Sequence, residues 1–187
     1  LVDSAFRELV FPPVPFYITQ TPVLRKEKKI VMQGSTMRSK VIDRQVNIEG
    51  ACIIFSDKDI PLLRIAVKEG SDYNQNTVII QGGNFDASLC KNYTSNCIEV
   101  MADNYEKLWG LTISTSINAM FNNATGVGIN INPVENKAMK GNKAFVTHVR
   151  INAVIQDFGI GVKASNYGEG WVSYNWCTDI VVDGLIN

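Results

Sequence analysis

Carboxylates are the side chains of this sequence that could transfer protons. Those near the ends of predicted strands or in the loops that follow are Asp86, Glu99, Asp103, Glu106, Asp157 and Asp183. Cleavage of a glycosidic bond requires two carboxyl groups about 5 to 9.5 Å apart. No two of these acids share a position on adjacent predicted strands, so each could instead be a solvated turn or edge residue. Glu99, Asp103 and Asp157 are the acids that we keep as catalytic candidates.

Arginine and aromatic residues supply two further kinds of candidate. Arg150 is the only charged residue at the middle position of the strand motif described below. It could remove a proton in a lyase, or it could be an edge charge. Trp171, Tyr174 and Trp176 gather in one predicted strand, residues 170–176. Their rings could form a platform for sugar stacking, but core packing and a subunit interface explain them equally well.

The cysteines and the single histidine do not form a metal motif. Cys52, Cys90, Cys97 and Cys177 include no Cys-x-x-Cys pair, and His148 stands apart from them. The sequence therefore predicts no metal site. Cys90 and Cys97 could close a short loop as a disulfide or remain reduced. We favour reduced thiols, because apolar strands accommodate free cysteine and a large core needs no disulfides.

A repeated strand motif must position these residues. The order apolar, variable, apolar, polar, small occurs five times, in residues 29–34, 77–82, 110–115, 148–153 and 179–184. Residues two apart on a strand face the same side, so the repeat predicts one buried column: Ile30, Met32, Val78, Ile80, Leu111, Ile113, Val149, Ile151, Ile180 and Val182. The polar and small residues predict that each strand ends at a tight corner.

A second set of strands lies between the copies, in residues 63–67, 98–100, 127–131 and 159–162. Two alternating sets predict an all-β fold, the right-handed single-stranded parallel β-helix. An antiparallel sandwich would also alternate, but it should show hairpin signals between neighbouring strands. We assign residues 1–28 to an N-terminal lead-in segment of strand, proline turn and strand. Residues 29–187 are assigned to β-helix coils that continue beyond this piece of the chain.

Charge and hydropathy argue against two classes of partner. The 187 residues include 18 basic and 18 acidic side chains, so no charge excess attracts nucleic acid. No apolar run approaches the roughly 20 residues of a membrane helix. The hydrophobic content of 45% is enough for one buried core. The sequence therefore predicts neither nucleic-acid binding nor membrane insertion.

The lead-in segment resembles a known superfamily. Residues 10–13 read Val-Phe-Pro-Pro, Tyr17 and Ile18 follow, and residues 30–34 read Ile-Val-Met-Gln-Gly. This order resembles the first coil of the pectate-lyase-like superfamily, especially the branch found in phage tailspikes and tail fibres. Pro15 and Phe16 stand where that family usually has glycine and a small residue. The matching motifs carry no catalytic signature.

The resemblance implies a structural segment of a virion tail appendage that binds a host surface polysaccharide, as a homotrimer or larger virion assembly. The alternative is a polysaccharide lyase or glycoside hydrolase, virion-borne or secreted, that acts on surface or pectic polysaccharide. A lyase of this family would use Ca²⁺; otherwise no cofactor is implied. The motif's middle positions Val31, Ile79, Thr112 and Val181 favour the first class, because an apolar outward row needs a covering loop or subunit.

Overall fold

The computed structural model describes residues 7–26, 28–34, 40–42, 45–47, 51–67, 77–100, 107–120, 123–131, 145–165, 176–177 and 179–186. Within these residues every regular element is a β-strand, so the described chain is all-β, as predicted. In chain order the strands are β1 (Glu8–Phe11), β2 (Pro15–Tyr17), β3 (Val23–Leu24), β4 (Lys28–Met32), β5 (Lys40–Ile42), β6 (Gln45–Asn47), β7 (Ile53–Phe55), β8 (Leu63–Ile65), β9 (Thr77–Asp86), β10 (Asn96–Val100), β11 (Lys107–Leu108), β12 (Gly110–Asn118), β13 (Val127–Ile131), β14 (Phe145–Val146), β15 (Val149–Ile151), β16 (Val154–Gln156), β17 (Ile160–Ala164), β18 (Trp176–Cys177), β19 (Ile180–Val182) and β20 (Leu185–Ile186).

Nearly all of these strands pair in parallel, in three sheets. The first sheet follows the order β1-β4-β9-β12-β15-β19, with β2, β7, β16 and β20 beside it. The second sheet has the order β17-β13-β10-β8-β3, and the third has the order β11-β14-β18. From β9 onward the chain visits the first, second and third sheets in the same order on each pass. We name each pass a circuit, and each strand pairs with its counterparts in the adjacent circuits.

Parallel register stacks the inward residues of the motif in one column, as predicted. Ile113 lies between Ile80 and Ile151, and all three are at most 1% exposed. The inward residues of the first four copies are buried: Ile30, Met32, Val78, Ile80, Leu111, Ile113, Val149 and Ile151. Burial of each such side chain contributes about 1.5–3 kcal/mol. In the last copy Ile180 is half-buried, and the prediction is wrong for Val182, which is 43% exposed. Its strand β19 pairs on one side only among the described strands.

The first copy of the motif is offset by two residues from the alignment that the sequence predicts. Ile30 pairs with Ile80, and Met32 pairs with Gly82. A Cβ atom at Gly82 would lie 2.3 Å from the carbonyl oxygen of Met32. This register is therefore possible only because position 82 has no side chain. Lys28 takes the place beside Val78 that the motif gave to Ile30, and it is buried.

The same offset changes the outward row of the first sheet. In register, this row consists of Lys29, Ile79, Thr112, Arg150 and Val181. Val31, which the motif placed in the row, lies instead beside Gln81. Ile79 and Thr112 are half-buried within the chain, whereas Arg150 and Val181 are exposed. That a loop or subunit covers the row stays a prediction.

The predicted corners are strand ends in some copies and bends in others. β15 and β19 end before Asn152 and Asp183, as predicted. β9 and β12 instead run through the corner, with an irregular register between Ser114 and Ser116. Gly82, with a φ of 75°, lies at the bend in β9. Glycines and bulges bend a strand without ending it, so the prediction of a strand end is wrong for these two strands.

The N-terminal strands belong to the same sheets as the later circuits. β1 pairs with β4, β2 with β7 and β3 with β8, all in parallel. The strand, proline turn and strand predicted for this segment are present as β1 and β2. The division at residue 28 stays a prediction. An antiparallel hairpin of β5 and β6, which the sequence did not predict, lies between β4 and β7 in the chain.

Candidate functional site

The outer face of the second sheet carries a row of polar side chains, one from each of four adjacent strands. Arg64, Glu99, Asn130 and Lys163 hold equivalent positions on β8, β10, β13 and β17. On the first three of these strands the residues on either side are buried and apolar. Strand alternation therefore directs these four side chains away from the core. We name them the polar row.

Two hydrogen bonds connect Asn130 to Glu99 through Asn96, and each is donated toward Glu99. Asn130 Nδ2 donates to Oδ1 of Asn96 at 3.1 Å, and Asn96 Nδ2 donates to Oε1 of Glu99 at 3.1 Å. The other carboxylate oxygen of Glu99, Oε2, lies 3.9 Å from Nε of Arg64. Both oxygens of Glu99 thus have partners, and its side chain is only 20% exposed. This arrangement suits an anchored carboxylate better than a group that exchanges protons with a substrate.

The far end of the polar row has unmet hydrogen-bonding capacity. Oδ1 of Asn130 is buried without a hydrogen-bond partner in the described part of the chain, and the residue is 6% exposed. A buried acceptor left unsatisfied costs about 1–3 kcal/mol. Lys163 lies beside Asn130 in the register and is half-buried. Its ammonium has neither a hydrogen bond nor an ion pair with any described residue.

Arg150 belongs to a separate, exposed cluster on the first sheet. Its Nη1 lies 3.4 Å from Oδ1 of Asp179 and donates to the carbonyl oxygens of Val149 and Asp179 at 3.1 and 3.3 Å. His148 Nε2 lies 3.8 Å from Oδ2 of Asp179. The side chains of Arg150 and His148 are 50% and 63% exposed. Exposed ion pairs of this kind contribute about 0–1 kcal/mol, so the cluster is a surface link between β15 and β19.

Sequence reasoning did not single out Asp179. It is the first residue of the last motif copy, ahead of the apolar pair, and its relation to Arg150 depends on the pairing of two strands in adjacent circuits, with the two residues 29 positions apart. The signal that could have found it is the alignment of the motif copies 148–153 and 179–184, which puts His148 and Asp179 at the same motif position.

Asp157 lies at a left-handed corner. Its φ is 61°, and Asn92 and Asn123 have φ values of 56° and 48° at the comparable corners of the two preceding circuits. Asparagine and aspartate adopt this backbone more readily than other residues with side chains. The aromatic residues that follow two of these corners, Tyr93 and Phe158, pack edge to face with ring centroids 6.1 Å apart. The backbone therefore gives a structural reason for an acid at position 157.

The remaining residues singled out in the sequence are spread over the chain. Asp86 is buried, and its Oδ1 accepts a hydrogen bond from the backbone N–H of Ser88 at 2.7 Å. Asp183 is exposed after β19. Trp176 begins β18 in the third sheet, beside Phe145. Four other candidates lie outside the described residues, and their roles stay predictions: Asp103, Glu106, Trp171 and Tyr174.

Three of the cysteines are buried free thiols: Cys52, Cys90 and Cys97. Cys90 and Cys97 are therefore not joined by a disulfide in this structure, in line with the favoured prediction. Burial raises the pKa of Cys52 to about 11 and holds that of Cys97 well above its ordinary value. Neither thiol is activated for nucleophilic chemistry at neutral pH.

In the part of the chain that the structure describes, the His, Cys, Asp and Glu residues form no group of three or more that could hold a metal ion. The same part of the chain contains no helix of the length and apolar character needed to cross a membrane.

Comparison with known proteins assigns no family to this chain. No protein-family profile, no curated protein and no solved structure matches it.

Proposed function

We propose that this chain is a right-handed single-stranded parallel β-helix and forms a structural, polysaccharide-binding segment of a phage tailspike or tail-fibre-like appendage. Successive passes through three parallel sheets in one order support the β-helix. Connections between parallel strands of one sheet are right-handed in nearly all proteins, which supports the hand. The resemblance at residues 10–13 and 30–34 supports the tailspike branch.

The observation that carries the binding function is the polar row. Neighbouring strands lie about 4.8 Å apart, which is close to the length of one sugar ring in an extended polysaccharide. A polysaccharide that crosses the four strands would therefore pass the part-exposed side chains of Arg64, Glu99 and Lys163, with the buried amide of Asn130 between the last two. Guanidinium, carboxylate, amide and ammonium groups together donate and accept hydrogen bonds, as sugar hydroxyls require. Glu99 already has two partners, which favours binding over catalysis.

Assembly into a homotrimer or larger virion particle is part of the same proposal. Trp109 is 41% exposed and Val181 is 44% exposed. Val181 belongs to the outward row of the first sheet, and exposed apolar residues such as these two suit contact with a neighbouring subunit. The location of such an assembly would be the virion tail. Mass measurement of the native particle or protein tests this part, and a monomer would overturn it.

Binding is tested with capsular polysaccharide, lipopolysaccharide and pectic polysaccharide. Replacement of both Arg64 and Glu99 by leucine removes the ion pair while keeping both positions filled, and we expect it to weaken binding. Asn152→Ala is the matched control, because Asn152 is an exposed amide at the corner after β15, away from the polar row. Failure of the wild-type protein to bind any of the three polysaccharides would overturn the proposed function.

Catalysis is tested in the same preparations by following the release of shorter chains. Glu99→Gln, Asp103→Asn and Asp157→Asn remove a proton-transfer group while nearly keeping its shape. A binding segment has no activity for these changes to abolish. An enzyme would lose about 10²–10⁴-fold of its rate with its acid or base. A loss of that size in any of the three variants would establish a lyase or hydrolase instead.

A further inference from the structure

We infer that the polysaccharide bound by the polar row carries an anionic group, a carboxylate, phosphate or sulfate, and that Lys163 receives it. This inference rests on the proposed function, because it names the ligand class of the same row. Two independent observations carry it, one concerning charge and the other concerning hydrogen bonds.

Charge along the polar row is balanced except at one end. Arg64 and Glu99 form an ion pair at 3.9 Å, and Asn130 is neutral. Lys163 adds a positive charge that no described acid pairs with. The residue is half-buried, so its side chain lies against the sheet beside Asn130. An anionic group on the ligand would supply the missing counter-charge, and lysine is a common partner for such groups.

The hydrogen bonds fix which end of Asn130 is free. Its Nδ2 is committed to Asn96, whose own Nδ2 is committed to Glu99. Oδ1 of Asn130 is therefore the end without a partner, and it is buried. Lys163, on the adjacent strand in register, has three N–H donors. One N–H can donate to Oδ1 of Asn130 while the other two bind the anionic group. A single position of the ammonium would then give Oδ1 a donor and give Lys163 a counter-charge.

A polysaccharide fits this site better than a nucleic acid does. Nucleic-acid affinity comes mainly from several basic side chains that neutralise successive phosphates. The polar row has one cation, Lys163, that pairs with no acid in the described ranges, and the chain has equal numbers of basic and acidic residues. One charge among amide and carboxylate groups matches a polymer rich in hydroxyls that carries an occasional anionic group.

Calorimetric titration at low ionic strength tests the inference with four probes. Polygalacturonate supplies carboxylates, a phosphate-bearing teichoic-acid polysaccharide supplies phosphates, dextran is neutral, and inorganic phosphate is a free anion. We expect Lys163→Gln to weaken binding of at least one acidic polysaccharide roughly tenfold, which corresponds to about 1.4 kcal/mol. Lys163→Arg should restore most of this loss. Lys91→Gln is the matched control, because Lys91 is an exposed lysine in the loop before β10.

The outcomes separate this inference from the proposed function. If wild type and Lys163→Gln bind acidic polysaccharides equally, or if dextran binds as tightly as they do, the inference is overturned and the proposed function stands. If no polysaccharide binds, both are overturned. Lys163-dependent binding of inorganic phosphate alone would also overturn the inference, because the site would then serve a free anion. Unfolding curves of Lys163→Gln and wild type should coincide, which excludes loss of folding as the cause.

Discussion

Asp59 joins the loop between β7 and β8 to Thr94, in the loop before β10. Oδ1 of Asp59 accepts hydrogen bonds from the backbone N–H groups of Thr94 and Ser95 at 2.9 and 2.8 Å, and Oδ2 accepts from the Thr94 hydroxyl. Partial burial acts to raise the pKa of Asp59, but these hydrogen bonds outweigh it and hold the pKa below its ordinary value. The carboxylate thus links these two loops in its charged form.

This link should make stability depend on acid. Because the folded-state pKa of Asp59 is lowered, its contribution is complete above the ordinary pKa of an aspartate and is lost as the pH falls through the lowered value. We expect Asp59→Asn to reduce the free energy of unfolding at neutral pH and to flatten its decline in acid. Urea unfolding across this pH range measures both effects. An unchanged acid slope in Asp59→Asn would contradict the assigned role.

The buried column should be sensitive to charge and to cavities. Ile113 has no exposed surface and lies between Ile80 and Ile151. We expect Ile113→Asp to prevent folding, since an unpaired carboxylate would enter the core. Ile113→Ala should fold and lose about 2–5 kcal/mol of stability. Ile160→Ala is the control, because Ile160 is 47% exposed and its change should be nearly neutral in the same urea titration.

The stack of inward residues could be predicted from sequence because its signal is local. Ile113 and Ile151 each belong to an apolar pair two residues apart, and strand geometry alone places such a pair on one face. The register of the first copy could not be predicted in the same way. It depends on the close approach of the Met32 backbone to Gly82, a contact between distant residues that no local pattern records.

The candidate site was only partly predictable for a similar reason. The place of Glu99 between Ile98 and Val100 predicts an outward side chain, because alternate residues of a strand face opposite sides. Its register neighbours Asn130 and Arg64 come from the adjacent strands β13 and β8, 31 and 35 positions away in the sequence. The positions of these side chains relative to one another depend on the register of all three strands. Because the sequence alone does not give that register, it does not predict the polar row.

Tight packing at Gly128 gives a test of the second sheet. A Cβ atom there would lie 2.6 Å from Cγ2 of Ile155 and 2.7 Å from the carbonyl oxygen of Gly161. We expect Gly128→Ala to cost about 1–3 kcal/mol through overpacking. Gly110→Ala is the matched control, because its added Cβ would meet the Thr77 side chain at 3.2 Å and Thr77 is exposed. Thermal unfolding of both variants measures the difference, and equal losses would contradict this account of the packing.

Asp157 distinguishes a backbone role from a catalytic one. At a φ of 61°, glycine and asparagine fit the corner, whereas a β-branched residue is strained by about 1–2 kcal/mol. We therefore expect Asp157→Gly and Asp157→Asn to keep wild-type stability and polysaccharide binding, and Asp157→Val to lose stability. Chemical denaturation and the binding titrations described above measure these effects. If Asp157→Asn lost binding or a depolymerising activity while remaining as stable as wild type, the carboxylate itself would be functional and the corner interpretation would be wrong.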